Sequence, residues 1–137
     1  MRNRVLPLAG LLLFAAVGCK PKLEDQVVGT WSGPNNSSVT INQDKTWTSD
    51  IPAGPVTLKT KGDWVVNGDA VTLTPKTVND RPVAEVVKQI QDVAKRMGQN
   101  AGPLADLAKP DDFTVSSDGK TLTLKNPKNG PMTLTKK

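Results

Sequence analysis

The stretch "KGDWVVNGDAVTLT", residues 61–74, decides the fold. Two runs rich in β-branched and aromatic residues, "DWVV" and "AVTLT", flank the turn-forming triplet "NGD", which is the pattern of a hairpin. Asn67-Gly68 predicts a type I′ turn, since both residues accept the positive φ that such a turn requires. The same punctuation continues on either side. Upstream, "VVGTWS" (27–32), "SVTIN" (38–42) and "TWTSDI" (46–51) are separated by "GPNNS", "QDK" and "PAGP". Downstream, "FTVSS" (113–117), "TLTLKN" (121–126) and "MTLTKK" (132–137) alternate with "DGK" and "PKNGP", and Asp118-Gly119 makes a second hairpin turn. The expectation is a mainly β chain, an antiparallel meander of eight or nine strands.

One segment breaks the pattern. "PVAEVVKQIQDVAKRMG" (82–98) sets Val83, Val86, Val87, Ile90, Val93, Ala94 and Met97 at three- and four-residue steps, with Glu85, Lys88, Asp92, Lys95 and Arg96 on the other face. This predicts an amphipathic helix between the sixth and seventh strands, inside a helical insertion at about residues 82–108. Asp80 is the expected cap, Pro82 suits the first turn, and Gly98 with Gly102-Pro103 ends the helix. Its apolar stripe is expected to pack on the outside or the open end of the sheet.

The three tryptophans, Trp31, Trp47 and Trp64, recur in similar strand settings, and with Phe113 they are the aromatic residues beyond the leader. Gly29-Thr30-Trp31 resembles the Gly-x-Trp of the first strand in lipocalin-like (calycin-like) barrels. "KGDWVVNGDAVTLT" and "SSDGKTLTLK" look like pieces of small lipocalin-like envelope domains. The resemblance spans most of residues 26–135 and implies a barrel, closed or half-open, with Gly29 and Trp31 at its packed base. Trp47 and Trp64 are then the candidate ligand contacts, with core packing as the other reading of each.

The N-terminus carries a different kind of information. "MRNR" is a short basic region, followed by "VLPLAGLLLFAAV" (5–17) and then by Gly18 and Cys19, the one cysteine of the chain. That is the layout of a secretory signal; a spanning helix would need about 20 apolar residues. Ala16-Val17-Gly18-Cys19 resembles the lipobox of bacterial lipoproteins. The resemblance implies peptidase recognition at Ala16, Val17 and Gly18, cleavage after residue 18, and lipidation of Cys19 with acyl chains such as palmitate. Lys20, rather than aspartate, follows the cysteine, which by the enteric sorting rule implies the outer membrane. The expected location is the periplasmic or outer face of the outer membrane, or the outer leaflet of the plasma membrane where no outer membrane exists. The expected organisation is a signal peptide over 1–18, the lipidated cysteine and a tether over 19–25, and one β domain over 26–137.

Composition narrows the function classes. The net charge of +5 includes Arg2 and Arg4 of the leader, so 16 basic and 13 acidic residues remain, a balance of +3. The lysines are dispersed and no basic stripe with interleaved aromatics appears, which argues against nucleic acid. There is no histidine and no tyrosine, so the commonest general base and metal ligand are missing. Glu24-Asp25 and Asp111-Asp112 are adjacent carboxylates that read as solvated. The expectation is no catalytic residue, no metal and no cofactor. Two classes stay open: a membrane-anchored module binding a small apolar ligand, and an interaction protein contacting another envelope protein.

Overall fold

Among the residues the computed structural model describes, 18, 20–127 and 131–137, nine strands and two α-helices form. In chain order they are α1 (Leu23–Val27), β1 (Gly29–Ser32), β2 (Ser38–Ile41), β3 (Thr46–Ala53), β4 (Val56–Asn67), β5 (Ala70–Val78), β6 (Arg81–Pro82), α2 (Val83–Arg96), β7 (Asp111–Val115), β8 (Thr121–Leu124) and β9 (Thr133–Lys136). Every neighbouring pair is antiparallel. The sheet runs β4-β3-β2-β1-β9-β8-β7-β5, and β4 also pairs with β5, so eight strands close into a barrel. The two-residue β6 extends β5 outside the closed circuit. Closure removes the free sheet edges that would otherwise template aggregation. This is the architecture that the Gly29-Thr30-Trp31 resemblance implies, with the helix standing between β6 and β7 as the periodicity predicts.

The interior is built from inward-facing cross-strand pairs: Trp31 opposite Val39, Ile41 opposite Trp47, Trp64 opposite Leu73, Phe113 opposite Leu124, and Leu122 opposite Leu134. Their alternation with exposed Thr, Lys and Asp is the period of two that a half-buried strand requires. Each such side chain, fully buried, contributes about 1.5–3 kcal/mol. Among the described residues all of this core lies between Leu23 and Leu134, so a chain from Lys20 onward keeps it intact.

Three expectations are corrected in detail. The hairpin turn is centred on Gly68-Asp69 rather than Asn67-Gly68, because Asn67 pairs with Ala70 in the ladder. Positive φ is confined to Gly68 (63°), as in a type II′ turn, and the Asn67 amide donates to Thr72 Oγ1 at 3.1 Å. Asp80 does not cap α2: Pro82 occupies that position, and Asp80 instead accepts from Lys61 Nζ at 2.6 Å. The ordered domain begins before Gln26, since Leu23 to Asp25, expected in the tether, belong to α1. Leu23 and Val27 pack on the core and anchor that turn of helix.

The stripe of α2 packs over only half its length. Val83, Val86 and Val87 meet Val78, Leu58, Leu107 and Ala108 at the open end of the barrel, where Val78 pairs with Thr60 of the inner face. Beyond Ile90 the stripe is largely uncovered, with Val93 54% and Met97 65% exposed, while Ala94 borders the segment after the helix.

Candidate functional site: the barrel mouth

The two ends of the barrel differ. At one end α1 acts as a plug, because Trp31 Nε1 donates to Val27 O (2.9 Å), Lys136 Nζ donates to Gln26 O (2.7 Å), and Lys45 pairs with Glu24 (2.9 Å). Trp31, Trp64, Ile41, Leu122, Leu134, Val27 and Val71 are all under 2% exposed and fill this half. Gly29 opens β1 here with φ 138°, beside the Lys136 stem. The chain preceding α1 therefore enters at the closed end.

The opposite end is hollow. A cavity of about 830 Å³ lies between the inner wall and the segment that connects α2 to β7. Its floor and walls include Trp47, Leu73, Phe113, Leu124 and Met132, and Leu107 of the connecting segment reaches over it. That segment contains a 3-10 turn, Gly102–Asp106, and is held against the barrel because Leu107 and Ala108 join the small cluster beneath α2. The size lies within the range of about 300–1,000 Å³ typical of small-molecule sites. A smaller hollow of about 300 Å³ between the second half of α2 and Gln99–Ala105 is a surface groove outside the barrel.

Among the sequence candidates, the structure separates the three tryptophans. Trp31 and Trp64 sit in the filled half. The Trp64 indole donates to Asn42 O at 2.8 Å and carries Lys45 Nζ 4.1 Å above its ring, and it does not line the cavity. Trp47 does line it. Its Nε1 is the one buried side-chain N or O atom among the described residues that has no hydrogen-bond partner. Room for that indole comes from Gly62, its partner across the β3–β4 ladder, where the register shifts in a bulge between Lys61 and Gly62. Cys19, Ala16 and Val17 lie outside the described residues, and Gly18 is exposed.

The sequence reading of Asp111-Asp112 as solvated carboxylates agrees with the structure, in which both are exposed, but it did not place Asp111 at the mouth. Asp111 precedes the inward-facing Phe113 by two residues and pairs in register with Leu73, so it stands on the inner face at the lip. Partial burial, and then the charge of Asp112, push its carboxyl above the ordinary value of 3.8. Asp112 points the other way and accepts from Thr72 Oγ1 at 2.5 Å. Lys109, also at the lip, pairs with Asp106 at 2.5 Å. The signal that could have found Asp111 was its i, i+2 relation to Phe113, which places a carboxylate on an otherwise apolar face. The arrangement can hold an elongated apolar body, with polar recognition at the rim.

An uncharacterized protein from Bacteroides eggerthii DSM 20697, whose crystal structure was solved at 2.60 Å resolution, is similar to this chain with a TM-score of 0.49 and 14% identity, over 81% of this chain and 99% of that one. No protein-family model and no curated protein matches.

Proposed function

We propose that this protein is a lipid-anchored envelope lipoprotein whose barrel mouth binds a small apolar or amphipathic molecule without catalysing a reaction. The observation that carries the binding part is the 830 Å³ cavity inside a barrel whose other half is filled. The anchor rests on the lipobox-like Ala16-Val17-Gly18-Cys19 and the signal layout before it. Under this reading Lys20 to Lys22 are the whole tether, at most about 11 Å long, and they lead to the closed end. The mouth then opens away from the bilayer, toward the aqueous compartment or a delivering partner. The non-catalytic part rests on a chain with no histidine and no tyrosine, which lacks the commonest general base.

Titration of the chain from Lys20 with fatty acids, isoprenoids and phospholipids, followed by tryptophan emission, tests the cavity. A saturable change that disappears in Trp47→Phe supports binding at the mouth; no change with any of them sinks it. Mass spectrometry of the mature N-terminus tests the anchor, which fails if the Cys19 thiol is free or cleavage falls elsewhere.

One observation favours the second reading, contact with another envelope protein: the exposed Val93 and Met97 on α2. Crosslinking from position 93 in native membranes tests it, with a single specific adduct as the supporting result.

A further inference from the structure

Deepening the small-ligand reading, on which it rests, we infer that the cavity takes an uncharged amphiphile, whose hydroxyl or carbonyl head seats inside the barrel on the Ser49 and Thr60 hydroxyls while its apolar body lies against Phe113 and Leu124.

A buried polar side chain without a protein partner carries this. Ser49 is 6% exposed, stands two residues from Trp47 on the inward face of β3, and lines the cavity. Its hydroxyl has no hydrogen-bond partner among the described residues, and it opens on the cavity rather than being walled in by protein atoms. Thr60, directly opposite Ser49 in the β3–β4 ladder, also lines the cavity with an unpartnered hydroxyl. Opposed residues of a ladder hold their Cβ atoms about 4.5–5.5 Å apart, so one ligand oxygen can reach both hydroxyls. Ser37, the other buried serine of this wall, is different: its hydroxyl already donates to Pro34 O at 2.8 Å. A buried hydroxyl is costly unless something bonds to it, and here only an occupant of the cavity is in reach.

The facing wall sets the rest of the ligand. Around the barrel β8 is reached from β3 through β2, β1 and β9, or equally through β4, β5 and β7, so Leu124 and its ladder partner Phe113 stand across the cavity from Ser49. The charged residues that line the cavity, Asp106, Lys109, Asp111 and Asp112, belong to the lip and the connecting segment, and Lys109 pairs with Asp106. A carboxylate or ammonium drawn down to Ser49 would therefore lose water without gaining a counter-charge, which a neutral head avoids.

The test uses the chain from Lys20 and four probes of equal chain length, 1-octanol, 1-chlorooctane, octanoate and octylamine, with Ser49→Ala and Thr60→Val as variants. Calorimetry measures affinity, and ¹H–¹⁵N spectra locate each probe and report the fold of each variant. Octanol is expected to shift the amides around Ser49 and Thr60 and to lose about three- to tenfold in affinity in either variant. Chlorooctane, with no hydroxyl, should lose nothing, and the two ions should bind alike in wild type and variants. If octanol enters the cavity with the same affinity in all three proteins, water rather than a ligand completes Ser49; the inference is overturned and the small-ligand reading stands. A loss as large for chlorooctane as for octanol overturns it too, since the substitutions would then act through cavity shape. If no probe binds, both are overturned.

Discussion

Trp47 and Gly62 face each other across the β3–β4 ladder so closely that a Cβ at Gly62 would stand 2.8 Å from Trp47 Nε1 and run into the carbonyl oxygen of Thr74. Backbone cannot yield as a flexible side chain would. Gly62→Ala is therefore expected to cost about 1–3 kcal/mol, as overpacking does, and to displace Trp47 from the cavity wall. Urea denaturation gives the first quantity and near-UV circular dichroism the second. An alanine variant of wild-type stability would mean that the bulge at this position relaxes freely.

The three indoles should respond differently to losing their N–H. Trp64→Phe leaves Asn42 O without its donor, and Trp31→Phe does the same to Val27 O, so each should lose about 1–3 kcal/mol. Trp47→Phe removes a buried donor that has no acceptor, and should be neutral or slightly stabilising in the ligand-free protein. The three melts measured side by side decide this. A large loss at Trp47 would reveal a partner for its N–H.

Asp111→Asn should raise the melting temperature slightly at pH 7 and leave it unchanged at pH 3. The folded state holds the Asp111 proton more tightly than the unfolded chain, since burial and Asp112 lift the carboxyl above its ordinary 3.8. Stability from this group is therefore full below 3.8 and declines as pH rises through the raised folded value. Asp44 and Asp118 titrate the opposite way, because hydrogen bonds from Thr46 and from Ser116 lower them, so their contribution is lost on acidification. The difference between wild type and variant at each pH isolates Asp111. A destabilised variant at pH 7 would mean that the carboxylate has a cationic partner after all.

Gly68→Val should cost about 1–2 kcal/mol through its positive φ alone, because the space around the turn is open. Gly33→Val should lose stability by a different route, since a Cβ there meets Leu134 Cδ2 at 2.8 Å and crowds the Ser37 hydroxyl. Combining Gly33→Val with Leu134→Ala should recover part of the loss expected from adding the two costs, whereas Gly68→Val with Leu134→Ala should be additive. Equal coupling in both pairs would place the Gly33 effect outside the core.

Alternation and turn chemistry made most of the barrel legible. "DWVV" and "AVTLT" around a glycine needed no tertiary information to read as a hairpin, and neither did the 3.6-residue period of Val83, Val87 and Ile90 as a helix. Those signals are local, so the chain carries them in its own order. The exact turn centre was not legible: Asn67-Gly68 and Gly68-Asp69 both place glycine where positive φ is needed, and only the ladder partner of Asn67 chooses between them. The length of α2 that stays buried depended likewise on where β5 ends beneath it.

What the sequence by itself determined was the class of fold, the order of its elements and the faces of the strands that turn inward, because propensity and periodicity act between near neighbours. What only the tertiary structure decided was which buried residues close one end and which border a hollow at the other. Trp31, Trp47 and Trp64 are alike in sequence, each following a small or charged residue within a strand. Their difference arises from closure: pairing β4 with both β3 and β5 sets the interior width, α1 fills one end with Leu23 and Val27, and the connection after α2 roofs the other without filling it. A cavity is a property of the space among residues distant in the chain, such as Trp47, Leu73, Phe113 and Met132, and local sequence does not encode that distance.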